Sequence, residues 1–496
     1  MSNIRVTYTG FIAFAVSLLG SLTGLIFVII VTRQLEPEDF GLWALIGSMV
    51  AYIAILHPII GYWTTREIAR GENVGKTSFL SSGLFSSSGF LIYSGIALYV
   101  SYTLGVDWFV LMLASILVPI SFMNNTLSTI CLGFKPQSNS YGTFAFEVGK
   151  LPVGFLLVYM FQLEIVGAIL TIIVATSMRS IVLLIMAREK IIGEFQWHIL
   201  KFWIRLSWLT LYQKSGSLLR RLDVLIISFV TGTFTGLAFW AASQAIANLA
   251  IHSGTMAQGL YPKLLAAGKK EFAEESLKRT LFLAIPILGA SIIFAKPALH
   301  ILNPLYIDAV YVVYFLSIAA FVNTIRSVFY KILSGYENVD TNKKATFRDY
   351  IKSKLFLVPT LDYIFTGSYL IILIIFLFLK SQDMSEIFII TIWSIIFLAV
   401  SIPITVFSIV IVKKEYKISL PFKEISKYSL VTIFTFLILW FLVDKTVIYH
   451  ESVFDFLPEI LPIMFLGVCI YFGLTFVIDK PTRKLYKNII KEIRKK

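Results

Sequence analysis

GLWALIGSMVAYIAILH, Gly41–His57, and GLAFWAASQAIANLAIH, Gly236–His252, decide the fold of this 496-residue chain. Each is an apolar run of the kind that crosses a bilayer as a helix, and each aligns with the other. Gly41, Leu42, Ser48 and His57 find identical counterparts in Gly236, Leu237, Ser243 and His252; Leu56 opposite Ile251 matches in character only. A weaker echo at nearly the same offset pairs LGFK, Leu132–Lys135, with SGYE, Ser334–Glu337, and sets Glu147 and Lys150 opposite Asp349 and Lys352. The competing account is chance similarity between apolar helices. Read as an internal repeat, the matches equate the second membrane span with the eighth and the fourth with the tenth.

A hydrocarbon core of about 30 Å needs about 20 apolar residues of helix. Runs of that length recur along the whole chain, at 10–32, 40–62, 79–103, 108–132, 141–161, 165–187, 208–231, 236–260, 280–295, 309–333, 355–379, 387–412, 428–443 and 457–478. The composition agrees, with 57% hydrophobic and 15% charged residues and a mean hydropathy of +0.82. The expectation is an all-α polytopic membrane protein with about 14 transmembrane helices. Residues 1–200 hold helices 1–6 as an N-lobe and 201–412 hold helices 7–12 as a C-lobe. Residues 413–496 add helices 13 and 14 and a basic tail. An even number of helices per lobe makes the two lobes parallel repeats around a central cleft that opens to either side. Pro58, Pro119, Pro152, Pro286 and Pro403 fall within or at the ends of spans, where each removes a backbone hydrogen bond and can kink its helix.

Orientation follows from lysine and arginine, which cytoplasmic loops retain. With the N-terminus inside, inside segments hold dense basic groups, among them Arg66, Arg70 and Lys76; Lys269, Lys270, Lys278 and Arg279; Lys343, Lys344 and Arg348; Lys413, Lys414 and Lys417. Outside loops hold Arg33, Lys296, Lys380 and Lys445. Both termini are therefore expected in the cytoplasm, and the cell membrane is the expected location. The net charge of +14 is spread over every inside loop, which fits attraction to anionic lipid rather than nucleic-acid binding. The tail RKLYKNIIKEIRKK, Arg483–Lys496, reads as an amphipathic surface helix, and Gly193–Arg205, with Trp197 and Trp203, reads as a second interfacial segment. Cys131 and Cys469 fall inside spans and suggest neither a disulfide framework nor a metal site.

Ionisable side chains at membrane depth are costly and tend to mark pathways. Here they are Lys150, Arg179, Lys214, Arg220, Arg221, Arg326 and Lys331, against the carboxylates Glu147 and Asp223. Such an excess of cations favours an anionic ligand, and phosphate suits arginine donors. Lys150, Arg179, Arg220, Arg221 and Arg326 are the candidate headgroup residues. Adjacent arginines on a helix point about 100° apart, so Arg220 could pair with Asp223 while Arg221 faces a ligand. Glu147 and Lys150 share the same i, i+3 spacing. Gln244, Asn248 and His252, at i, i+4 and i+8, form a polar stripe on the eighth helix. With Asp223 and Glu147, that stripe supplies the candidates for sugar contact or ion coupling. The competing account makes these groups buried ion pairs, interfacial anchors and interhelical hydrogen bonds. No cofactor is expected, and no Walker-type loop is present.

Three stretches carry a family resemblance. VTRQLEPEDFGLWALI, Val31–Ile46, resembles the first outside loop and second helix of the polysaccharide biosynthesis flippases, with their arginine, aliphatic and Pro-Glu-Asp-aromatic-Gly order. REIAR, Arg66–Arg70, sits where these proteins carry a basic cytoplasmic turn. RRLDVLIISFVTGTFTGLAFWAASQAI, Arg220–Ile246, resembles their Arg-x-Asp seventh helix, short outside loop and glycine-led eighth helix. The family lies in the multidrug/oligosaccharidyl-lipid/polysaccharide exporter superfamily. The resemblance implies a two-lobed alternating-access fold that moves polyprenyl-(pyro)phosphate-linked oligosaccharide from the cytoplasmic to the outer leaflet, beside glycan polymerase or glycosyltransferase partners. On the matching positions, Arg220, Arg221 and Asp223 would belong to the central cavity.

Three alternatives stand beside it. A multidrug-type cation-coupled exporter would want carboxylates deep in its first lobe, where only Glu147 qualifies. A lipid II flippase would concentrate cavity arginines in its first lobe, whereas here they cluster in the seventh helix. A membrane glycosyltransferase would show clustered acids or metal ligands. The one long loop with carboxylates, GYENVDTNKKATFRDYIK, Gly335–Lys352, interleaves them with cations.

Overall fold

A computed structural model of the chain describes residues 26–69, 71–135, 137–205, 219–257, 270–337, 347–380 and 384–479, with isolated positions within 16–24 and 207–216 and at 483. These residues are helical almost throughout, and no strand occurs among them. Among the described residues, eleven helices are long and apolar enough to cross a membrane, and they coincide with eleven of the runs read from the sequence. The other three, the first, seventh and eighth, fall partly outside the described residues. The chain is a multi-pass helical membrane protein.

The chain divides into two compact units, Met1–Ala238 with Leu370–Glu386, and Phe239–Tyr369 with Ile387–Lys496. The first unit opens with α1 (Pro37–Ile53), which begins on a proline preorganised for a helix start. A 3-10 turn at Ala54–Leu56 and His57 separate it from α2 (Pro58–Ala69). The second span is thus broken rather than continuous, because Pro58 has no N–H to give an α-helical ladder. There follow α3 (Gly75–Leu104), α4 (Trp108–Ser115), α5 (Leu117–Phe134), α6 (Gln137–Gly154), α7 (Glu164–Ile191), the short α8 (Trp197–Arg205) and α9 (Leu222–Thr231). Pro152 sits near the end of α6, which passes into a π-helical segment at Phe155–Met160. A missing N–H and the ring's bulk favour such a bulge.

Beside an apolar core around Ile60, Leu127, Leu183 and Trp203, helix α3 turns small polar side chains inside and large apolar ones outside. On α3, Ser78, Ser81, Ser82 and Ser86 are buried while Leu84, Leu91 and Leu98 are exposed. Without water, burying leucine gives no hydrophobic gain, so close backbone approach and hydroxyl hydrogen bonds join the helices. Thr126 Oγ1 on α5 donates to Ser82 Oγ at 2.7 Å, and Thr64 Oγ1 on α2 donates to Ser78 Oγ at 2.7 Å. Gly75 marks one such approach. A Cβ there would lie 2.0 Å from the Lys190 carbonyl oxygen at the end of α7.

The second unit begins with most of α10 (Thr235–Ala247), whose continuation at Asn248–Ala257 is 3-10 helix. Then come α11 (Lys270–Ile293), α12 (Ala295–Leu302), a 3-10 turn at Pro304–Ala309, α13 (Val310–Gly335), the six-residue α14 (Phe347–Lys352) and α15 (Lys354–Lys380), of which the part up to Tyr369 belongs to this unit. The chain ends with α16 (Glu386–Tyr416), α17 (Phe422–Thr446) and α18 (Val453–Ile478). One core joins α11, α13, α17 and α18 around Leu277, Phe329, Tyr428 and Tyr471. Apart from Arg483, the basic tail lies outside the described residues.

The two units repeat a local pattern. In the register that aligns Gly41–His57 with Gly236–His252, the 3-10 turn at Ala54–Leu56 falls opposite Leu249–Ile251, inside the 3-10 segment of α10. Beyond that break, α2 packs on α5 as the 3-10 segment packs on α13, and α3 packs on α5 as α11 packs on α13. Helix α5 ends within LGFK, and α13 ends within SGYE. The weaker echo stops there. Glu147 and Lys150 are buried in α6, whereas Asp349 and Lys352 lie in α14, ahead of the next long helix.

Candidate functional site

Helix α6 brings the first charged group to the interior of its unit. Glu147 and Lys150 are 7% and 5% exposed, and the i, i+3 pair forms, with Lys150 Nζ 2.5 Å from Glu147 Oε2. Thr23 Oγ1 donates to the same carboxylate oxygen at 2.5 Å. The Lys150 ammonium also lies 5.0 Å from the Phe146 ring centroid and 5.9 Å from that of Phe27. Arg179 on α7 is half-buried and feels the Glu147 charge, and its Nε has no hydrogen-bond partner among the described residues. Gly142 gives it room, since a Cβ there would lie 3.3 Å from Arg179 Cγ. Lys150, Glu147 and Arg179 therefore form one neighbourhood of the first unit.

The second group gathers at the head of α9. Arg221 is its N-cap and is exposed, Arg220 is partly exposed in the turn before it, and Asp223 is buried in the first turn. Asp223 N donates to the Arg220 carbonyl at 3.2 Å, and Asp223 Oδ1 accepts from Val224 N at 2.7 Å. Tyr52 on α1 lies within the fields of Asp223 and Arg221. Its hydroxyl is buried and has no hydrogen-bond partner among the described residues. A tyrosine on an apolar helix gives no sequence signal, and it is absent from the candidates above. Helices α1 and α9 also approach through glycine: a Cβ on Gly41 would lie 1.9 Å from the Phe234 carbonyl oxygen, just beyond α9.

In the second unit, Gln244 and Asn248 are both exposed on α10 and the start of its 3-10 continuation. The α-helical face rule carries from Gln244 to Asn248 and no further, because residues three apart share a face in a 3-10 helix. The His252 side chain lies outside the described residues, as does Lys214. Donors from α13 meet this segment's backbone: Thr324 Oγ1 reaches the Ala250 carbonyl at 3.4 Å and Lys331 Nζ the Gly254 carbonyl at 3.2 Å.

Arg326 on α13 is 4% exposed. Its guanidinium carbon lies 4.5 Å from the Phe365 ring centroid and 5.8 Å from that of Tyr330. Phe365 begins an aromatic run through Tyr369, to whose hydroxyl the Trp393 indole donates. Trp393 stacks on Trp240 with centroids 3.6 Å apart and planes within 3°. Among the described residues, His, Cys, Asp and Glu do not gather in threes that would hold a metal ion.

This architecture is shared with solved transporters. The lipid II flippase MurJ, in an inward closed conformation, superposes with a TM-score of 0.62 at 14% identity, over 96% of this chain and 99% of that one. A multidrug resistance MATE family transporter of the MOP superfamily, inward-facing, gives 0.60 at 13% identity, over 83% of this chain and 99% of that one. MATE in complex with MaL6 gives 0.54 at 12% identity, over 84% and 96%. No family model matches the sequence, and no curated protein matches it. At these identities the likeness is one of fold.

Proposed function

We propose that the chain is a flippase that moves a polyprenyl-(pyro)phosphate-linked oligosaccharide across the cell membrane by alternating access, from the cytoplasmic to the outer leaflet. The observation that carries this reading is the polar group at the head of α9. Exposed Arg221, with Arg220 beside it, offers charge-assisted donors to a phosphate, and the Tyr52 hydroxyl adds a further donor that nothing in the described chain accepts. Arg220, Arg221 and Tyr52 receive the anionic headgroup. Within the second unit Gln244 and Asn248 present exposed amides, and Lys150, Arg179 and Arg326 keep the interior of each unit cationic. Glu147, Asp223 and His252 are the candidates for ion coupling, and Glu147, held by Lys150, is the poorer proton carrier for being paired with a cation.

The fold is common to a lipid II flippase and to multidrug exporters, so its extent leaves the choice of cargo to experiment. The lipid II flippase matches almost the whole chain, whereas about a sixth of it has no counterpart in the MATE structure. Lipid II itself is the second reading, since it too presents a pyrophosphate.

The test is leaflet transfer in proteoliposomes, offering polyprenyl-pyrophosphate oligosaccharide and lipid II separately to wild type and to Arg220→Ala/Arg221→Ala. Transfer of the oligosaccharide that the folded double variant loses is the expected result. Transfer of lipid II alone selects the second reading. Transfer of neither, with efflux of a lipophilic cation, makes the chain an exporter of the multidrug type.

A further inference from the structure

Helix α8, Trp197–Arg205, carries two faces of different chemistry. One is docked. Leu200 and Trp203 are buried, and the Trp203 indole donates to Glu67 Oε1 on α2 at 2.9 Å. The backbone just before the helix is held as well, with Gln196 N donating to Thr77 Oγ1 at 2.9 Å. The other face carries Trp197, Lys201 and Arg205 at i, i+4 and i+8, all exposed, which aligns them as one stripe along the helix. The Lys201 ammonium lies 5.8 Å from the Trp197 ring centroid. Phe202 is 51% exposed and Ile204 46%.

No acidic residue occurs in α8, and the helix follows α7, a candidate membrane span, after a connection of only 192–196. A patch of indole, phenyl and aliphatic groups of this density is badly placed against water. It is well placed at the boundary between headgroups and acyl chains, where amphipathic helices lie flat and tryptophan sits at headgroup level. Two cations at that depth meet lipid phosphates.

We infer that the Trp197–Lys201–Arg205 stripe is a binding site for an anionic phospholipid. The lipid's charged headgroup is held between the Lys201 ammonium and the Arg205 guanidinium, the Trp197 ring lies beside its glycerol, and its chains run past Phe202 and Ile204. Through Trp203 and Glu67 the occupied helix is tied to α2, so the lipid fixes the membrane end of that helix too. This site is separate from the groups proposed to meet the transported substrate, and its test needs no transport.

The full-length chain in nanodiscs of phosphatidylcholine is titrated with phosphatidylglycerol bearing brominated chains, or with brominated phosphatidylcholine at the same mole fractions. Trp197 emission is taken as the difference between wild type and Trp197→Phe. Quenching by the brominated phosphatidylglycerol at mole fractions where the brominated phosphatidylcholine leaves emission unchanged is the expected result. Lys201→Gln and Arg205→Gln should each raise the mole fraction for half quenching by about fivefold, while Lys201→Arg, which keeps the charge, leaves it in place. Equal quenching by both lipids overturns the site, because α8 then rests on the bilayer without selecting charge. Absence of quenching by either overturns the contact itself, and midpoints unmoved by the glutamine variants overturn the roles of the two cations. All four substitutions are at exposed side chains, and a thermal unfolding curve for each separates loss of lipid from loss of fold.

Discussion

Lys150 and Glu147, one turn apart on α6, meet at 2.5 Å with less than a tenth of either side chain exposed. A buried pair of this kind contributes little net stability against an apolar pair of the same shape, yet removing one partner leaves a charge stranded and costs about 3–5 kcal/mol. Glu147→Gln should retain the Thr23 bond but abandon Lys150. Lys150→Met should leave the carboxylate with the Thr23 hydrogen bond and the more distant charge of Arg179. Each single variant is expected to unfold at clearly lower temperature in detergent, and Glu147→Gln/Lys150→Met to recover most of the loss. A double variant as weak as the sum of the two singles would show that the groups do not act as a pair.

Helix α1 carries a built-in comparison of two glycines. A Cβ on Gly41 would meet the Phe234 carbonyl at 1.9 Å, while one on Gly47 meets nothing within 4 Å. Gly41→Ala must push backbone from backbone, at a cost of about 1–3 kcal/mol typical of overpacking. Gly47→Ala removes chain entropy from the unfolded state and should be neutral or stabilising by up to about 1 kcal/mol. Thermal stability of the two purified variants, measured side by side, checks the difference, and equal behaviour would mean that α1 does not approach Phe234 this closely.

Arg326 and Phe365 lie on different helices, α13 and α15, with the guanidinium 4.5 Å from the ring centroid. A desolvated cation–π contact is worth about 2 kcal/mol. A double-mutant cycle of Arg326→Gln and Phe365→Leu should return a coupling energy of about that size. Coupling near zero would leave Arg326 held by its other neighbours and strip the stack of energetic meaning.

How far the sequence carries the reader differs between these cases. Long apolar runs announce their helices because bilayer thickness sets a length that composition alone can meet, and eleven runs recur as helices long enough to span. The Glu147–Lys150 pair is legible because helical periodicity places i and i+3 together. The 3-10 segment at Asn248–Ala257 is not, for it contains no proline and its carbonyls find donors from Thr324 and Lys331, far along the chain. The same holds for Thr23 on Glu147, for Arg326 against Phe365 and for Trp240 against Trp393. Each is a contact between separate helices, and single-helix periodicity says nothing of which helices meet. The local repeat was readable in outline from four identities, and its echo at Asp349–Lys352 misled because a charge pair keeps its spacing whether the helix is buried or exposed.

Tyr52 offers a prediction in which stability and transport part company. Its hydroxyl is buried within the fields of Asp223 and Arg221, with no hydrogen-bond partner among the described residues. An unmet polar group of this kind costs about 1–3 kcal/mol, and replacing it with hydrogen relieves that cost. Tyr52→Phe should therefore fold as well as wild type or slightly better. If the hydroxyl donates to the phosphate of the transported lipid, the same change removes a hydrogen bond to a charged group, worth about 1.5–3 kcal/mol. Transfer in proteoliposomes should then fall by at least about tenfold at limiting substrate. Unaltered transfer in a variant of unaltered stability would remove Tyr52 from the headgroup site and leave Arg220 and Arg221 to hold the phosphate without it. Loss of stability would instead mean that the hydroxyl already has a partner in the folded chain.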